Sequence, residues 1–170
     1  MIPPAPRADR GITLRETVVD ADVRAIREMV LATGFFSPEE VGVAVELIED
    51  RLGRGPASDY AFLIAEQDGR LAGYTCYGRT RGTLASFDLY WIVVAPDQQR
   101  HGLGRLLLEE TERRIRERGG LRIYVETSSR SLYQPTRQFY LTNGYVEEAF
   151  LVDFYSPGDG KLIYCRVLGL

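Results

Sequence analysis

A chain of 170 residues is long enough for one domain with a sizeable core. With 45% hydrophobic and 26% charged residues it is not a disordered chain, and a formal net charge of −3 leaves no broad basic surface for nucleic acid. The longest apolar run, Leu89 to Ala95, falls far short of the ~20 residues that cross a membrane, so no membrane partner is expected.

Residues 1–11, with Pro3, Pro4 and Pro6, read as a flexible tail without the apolar stretch of a secretory leader. Alternation predicts a strand over Ile12–Val18. Asp20 or Asp22 is expected to cap a helix that runs to about Thr33, with Val23, Ile26, Met29 and Val30 at helical spacing. Phe35 and Phe36 precede Ser37-Pro38-Glu39-Glu40, a capping box that starts a second helix to about Leu52. Strands over Tyr60–Glu66 and Leu71–Tyr77 are joined at Asp68-Gly69, a frequent hairpin turn. Phe87–Ala95 is apolar on both faces and belongs at the centre of a sheet. A helix follows from Gly102 to about Arg118. Pairs Glu109–Arg113, Glu110–Arg114 and Glu112–Arg116 are expected along its solvated face. Then come a strand over Leu121–Glu126, a short helix over Pro135–Asn143, and strands over Tyr145–Tyr155 and Lys161–Leu168. The turn over residues 156–160 separates the last two. The order β-α-α-β-β-β-α-β-α-β-β predicts one α/β domain over residues 12–170, a mixed sheet flanked by helices.

Cys76 and Cys165 are far apart and read as small buried hydrophobes, not as a disulfide framework. A reducing cytoplasm is the expected location. Two cysteines and one histidine, without clustered spacing, give no expected metal site.

Chemistry concentrates where the Phe87–Ala95 strand leads through Pro96-Asp97-Gln98-Gln99-Arg100-His101-Gly102-Leu103-Gly104-Arg105 into a helix. Amides at a helix start lack intrahelical partners, and glycines let an anion approach them. A P-loop would need Lys-Ser or Lys-Thr after the last glycine, and a dinucleotide fingerprint a third glycine at Leu107; neither is present. The remaining pattern, Gln99-x-x-Gly102-x-Gly104, resembles the signature of the GCN5-related N-acetyltransferase (GNAT) superfamily. Arg137-Gln138-Phe139-Tyr140-Leu141-Thr142-Asn143-Gly144-Tyr145 resembles the second half of that family's pattern, and the element order matches it over nearly the whole chain after residue 11.

The resemblance implies a mostly antiparallel sheet whose central strands splay into an acyl-coenzyme A cleft. Backbone amides from Gln99, Arg100, His101, Gly102, Leu103, Gly104 and Arg105 would hold the diphosphate of acetyl-coenzyme A. The strand residues Ile92, Val93 and Val94 would line its pantetheine arm. Tyr140 stands where the family places the tyrosine that protonates the leaving thiolate. Tyr133 stands where an asparagine often touches the cofactor. His101 itself reads as a phosphate-adjacent loop residue and not a catalytic one.

On the acceptor side, Asp88 and Tyr90 alternate on the strand, so both can face one side. Asp88 is the candidate base, directly or through water, against the plainer reading of a solvated strand-end carboxylate. Glu126 is a weaker candidate that could instead pair with an arginine. Phe35 and Phe36 either line the acceptor pocket or staple the second helix. Convergence of Asp88, Asp153 and Glu39 would favour a cationic acceptor. The implied activity is an acetyl-coenzyme A-dependent N-acyltransferase acting on a primary amine of a small molecule, amino acid or peptide. Protein N-terminal or lysine acetylation, and a non-catalytic acyl-coenzyme A sensor, are the alternatives. Many members of that superfamily form dimers, so a homodimer stands among the expected partners.

Overall fold

The computed structural model describes residues 11–169, so all of the expected tail but Gly11 lies outside the described residues. Seven strands and four helices follow in the predicted order. They are β1 (Ile12–Arg15), α1 (Asp20–Ala32), α2 (Pro38–Arg54), β2 (Ala61–Gln67), β3 (Arg70–Arg79), β4 (Ser86–Val94), α3 (Leu103–Glu117), β5 (Arg122–Ser128), α4 (Gln134–Thr142), β6 (Val146–Ser156) and β7 (Asp159–Val167). The strands form one sheet in the order β1-β2-β3-β4-β5-β7-β6, with β4 in the middle. Only β4 and β5 run parallel; the other neighbours are antiparallel.

Two cores follow from the period of two along the strands. Ala61, Leu63 and Ala65 of β2 pack with Leu103, Leu107, Leu108 and Ile115 of α3. Phe62 and Ile64, on the opposite face, pack with Ile26 and Val30 of α1 and Val41 and Ile48 of α2. The sheet is thus sandwiched, with α1 and α2 on one face and α3 and α4 on the other.

Local details correct several expectations. The α1 cap is Val19, not Asp20 or Asp22: Asp22 sits at the third helical position and its carboxylate accepts the Val19 N–H at 2.8 Å. That position lets Asp22 also take a two-point contact from Arg15, which in turn reaches Glu66 of β2 at 2.8 Å. Among the α3 pairs, Glu110–Arg114 forms at 2.6 Å, but Arg113 turns to Glu110 and Glu117. Glu112 is buried and meets Arg166 of β7 at 3.3 Å, because its position falls on the inward stripe of the helix. The turn between β6 and β7 is tighter than expected, with Ser156 already paired to Asp159.

Two irregularities shape the site. Cys76 pairs with Trp91 and Tyr77 with Leu89, which leaves Tyr90 as an extra residue in β4. Before it, Phe87 and Leu89 pack toward α3; after it, Trp91 and Val93 pack toward α1 and α2. Second, β4 and β5 pair only from Ser86↔Arg122 to Asp88↔Tyr124. Beyond that point β4 continues to Val94 and β5 to Ser128 without each other, so the strands splay as expected.

Candidate functional site

The splay leaves one edge of β4 without a strand partner at Ile92 and Val94, whose side chains pack toward α3. Val93 is buried on the opposite face, so it can offer this cleft only its backbone. The chain then turns through residues 96–102 into α3. Gln99 Nε2 donates to the Val94 carbonyl at 3.2 Å and ties the loop to the strand end. Arg100 and Gly102 both have positive φ, 62° and 86°. Gly102 takes the cap position without a side-chain bond, and no acidic residue stands in the first turn of α3. The first helical bond runs from Leu106 N–H to the Gly102 carbonyl, so the Leu103, Gly104 and Arg105 amides precede the intrahelical ladder. The positive end of the helix dipole is therefore bare. Arg100 and His101 are exposed beside it, while Arg105 is already paired with Glu109 at 2.7 Å. Phe139 of α4 closes the other side: a Cβ built on Gly104 would lie 3.6 Å from its ring.

Tyr140, one residue on, is 5% exposed and packs among Phe139, Tyr145 and Tyr164, with ring centroids 5.5, 5.3 and 6.4 Å away. Burial holds its phenol well above the usual tyrosine range, so it is protonated at neutral pH.

On the other side of the splay lies a cavity of about 330 Å³. The start of α2 supplies Phe36, Ser37 and Glu40, and β4 supplies Tyr90 and Trp91 at the bulge. The end of β5 supplies Glu126, Thr127 and Ser128, and Arg130, Tyr133 and Tyr155 complete the wall. Phe36 packs on Trp91 with centroids 4.8 Å apart, so it is a wall residue; Phe35 stands behind, against Tyr133 at 4.5 Å. Tyr133 thus belongs to this aromatic wall. Its hydroxyl donates to Glu40 Oε1 at 3.2 Å. Burial, then the Glu40 charge, pushes its phenol up to about 12.

Asp88 does not line the cavity but borders it. Its carboxylate accepts a bond from Thr80 Oγ1 at 2.7 Å. Burial raises its pKa, the Thr80 bond opposes the rise, and the charge of Glu126 adds to it. Tyr90 packs on Tyr60, on the α1–α2 side, with ring centroids 5.4 Å apart, and it is an electrostatic neighbour of Asp88. Burial and then Asp88 push the Tyr90 phenol up to about 12. Glu126 pairs not with an arginine but with Lys161, the chain's only lysine, at 3.0 Å. Glu39 and Asp153 are absent from the wall; Glu40 and Glu126 are the carboxylates that meet there.

Sequence reasoning saw Glu40 only as a capping residue and missed Trp91, Thr127 and Arg130.

The chain is similar to known proteins. The sequence model described as acetyltransferase (GNAT) domain matches residues 58–147. A crystal structure from Desulfovibrio desulfuricans, described as belonging to the GNAT family, is similar at 44% identity, with a TM-score of 0.89 over 93% of this chain and 99% of that one. Mycothiol acetyltransferase of Tsukamurella paurometabola is 32% identical over 61% of this chain. The same-named protein of Catenulispora acidiphila is 28% identical over 75% of it. The chain spans only 38% and 43% of those two proteins.

Proposed function

The chain belongs to the GNAT acetyltransferase family, and we propose that it moves an acetyl group from acetyl-coenzyme A to a primary amine of a small molecule. One observation carries the reading. The unpaired edge of β4 and the bare start of α3 lie on one side of the splay, and an aromatic-walled cavity with carboxylates lies on the other. The α3 amides suit a diphosphate, and the edge of β4 suits an extended amide-bearing arm. A cavity of about 330 Å³ favours a small acceptor over a folded protein surface.

The thioester supplies an activated carbonyl and a thiolate leaving group. An alkyl ammonium holds its proton to a pH of ~10.4 and cannot attack until it is lost. Asp88 takes that proton, directly or through water, since burial gives it more basicity than an ordinary carboxylate. N–H groups on the open edge of β4 polarise the carbonyl. Tyr140 returns a proton to the thiolate, and no bond to the protein forms.

Thermal unfolding with acetyl-coenzyme A, coenzyme A and a nucleotide control tests the cofactor. A ligand at 100 times its dissociation constant stabilises by ~2.7 kcal/mol. A rise with both coenzyme A forms and none with the nucleotide is expected; no shift with either would remove the assignment. Thiol release with an amine panel then separates enzyme from sensor.

The proposed base also predicts a pH response. Rate requires Asp88 ionised, so the acid limb of kcat/KM follows its pKa. Glu126→Gln removes a charge that raises that pKa and should move the limb to lower pH. Thr80→Val removes a bond that lowers it and should move the limb to higher pH. Limbs that stay in place in both variants would exclude Asp88 as the group that titrates.

A further inference from the structure

Of the three charged residues that line the acceptor cavity, Glu40, Glu126 and Arg130, two have an oppositely charged partner. Glu126 is neutralised by Lys161, whose side chain is 11% exposed and whose ammonium also sits 3.9 Å from the Phe154 ring centroid. Arg130 is neutralised by buried Asp159 at 3.1 Å. Glu40 has neutral donors only. Its Oε2 accepts the Ser37 N–H at 2.7 Å and its Oε1 accepts the Tyr133 hydroxyl at 3.2 Å. Both oxygens are therefore fixed in direction, on a wall shared with Phe36 and Trp91.

A carboxylate held by two neutral donors beside aromatic faces is a receptor for an organic cation. The nitrogen that is acetylated must be neutral when it attacks, so the cation that Glu40 holds is a different group of the same molecule. We infer that Glu40 is a specificity-determining residue that anchors a second cationic group, an ammonium or guanidinium, on the acceptor. The preferred acceptors are then diamines and related dications. Amines with a carboxylate at the far end are disfavoured, because that carboxylate would face Glu40. This inference rests on the acetyltransferase reading for its activity assay but not for its binding assay.

The test compares linear diamines, from putrescine to hexamethylenediamine, with the monoamine and the ω-amino acid of matching length. Glu40→Gln is the informative variant, because glutamine keeps the capping box and the Tyr133 contact while removing the charge. Glu39→Gln, off the cavity wall, is the control. In the unaltered protein kcat/KM should rank diamine above monoamine above amino acid. In Glu40→Gln the diamine should lose about tenfold to a hundredfold and fall to the monoamine's level, with the monoamine little changed. Calorimetric titration of the same compounds, with and without coenzyme A, reads the same ranking without turnover. Diamines that bind and depend on Glu40 in a protein that acetylates nothing would uphold the anchor and sink the enzymatic reading. Diamines that show no advantage over monoamines, that keep it in Glu40→Gln, or that do not bind at all would overturn the anchor, even if acetylation proceeds.

Discussion

Tyr140→Phe should lower kcat by about a hundredfold to ten-thousandfold, the range that a general acid contributes. The fold should not register the change, because the ring keeps its packing against Phe139, Tyr145 and Tyr164. Burial makes the Tyr140 phenol a weaker acid than in water. The same apolar surroundings penalise a thiolate beside it, so the two shifts act together and the proton still has reason to move. The KM for acetyl-coenzyme A should stay near its starting value, since the role proposed for the hydroxyl is on the leaving group and not in ground-state binding. Tyr74→Phe is the matching control: its hydroxyl is buried and unpartnered in the core on the α1–α2 face, so activity and stability should both hold. Steady-state kinetics and thermal melts of both variants decide the matter. Full turnover in Tyr140→Phe would remove the role given to this hydroxyl.

Gly104→Asp should separate stability from binding with opposite signs. A Cβ at Gly104 meets Phe139 at 3.6 Å and Val94 at 3.7 Å, both ordinary contacts, so the side chain fits. A carboxylate in the first turn of α3, which has none, should stabilise the helix by about 0.3–1 kcal/mol. The same charge would face the diphosphate. At ~5 Å and an effective dielectric near 20, one like-charged pair costs ~3 kcal/mol. Affinity for acetyl-coenzyme A should therefore fall about a hundredfold while the melting temperature holds or rises. Calorimetry on a protein shown to be folded tests this, and unchanged affinity would place the diphosphate elsewhere.

Most of the fold was readable because local signals agreed with one another. The capping box at Ser37 and Glu40 forms with both of its bonds, and Asp68-Gly69 makes its hairpin with positive φ at both residues. The apolar run from Leu89 to Ala95 marked the central strand because a strand covered on both faces has no reason to alternate. Non-local facts were not readable. The pairing of Glu126 with Lys161 joins residues 35 apart, and the Tyr133–Glu40 contact joins residues 93 apart. Periodicity carries no information about such pairs. The cap of α1 was misplaced because an acidic residue at the third helical position satisfies the same amide that a capping side chain would leave bare. Tyr133 stands where the family pattern has an asparagine, and its longer phenol reaches the α2 carboxylate of Glu40, a contact that no local pattern announces.

The extra residue at Tyr90 sets a rule for how β4 can change. A pleated strand has parity, and one added residue reverses it. Upstream, odd-numbered side chains belong to the α3 layer; downstream, they belong to the α1–α2 layer. Deleting Tyr90 would make Leu89 and Trp91 neighbours in a regular ladder opposite Tyr77 and Cys76. Trp91 and Val93 would stay on the α1–α2 layer and Ile92 and Val94 on the α3 layer, so only the Tyr90 side chain and the local bend would be lost. The bulge is therefore the place in β4 where the loss of one residue leaves both layers intact, whereas a deletion elsewhere in the strand would turn one half of it inside out.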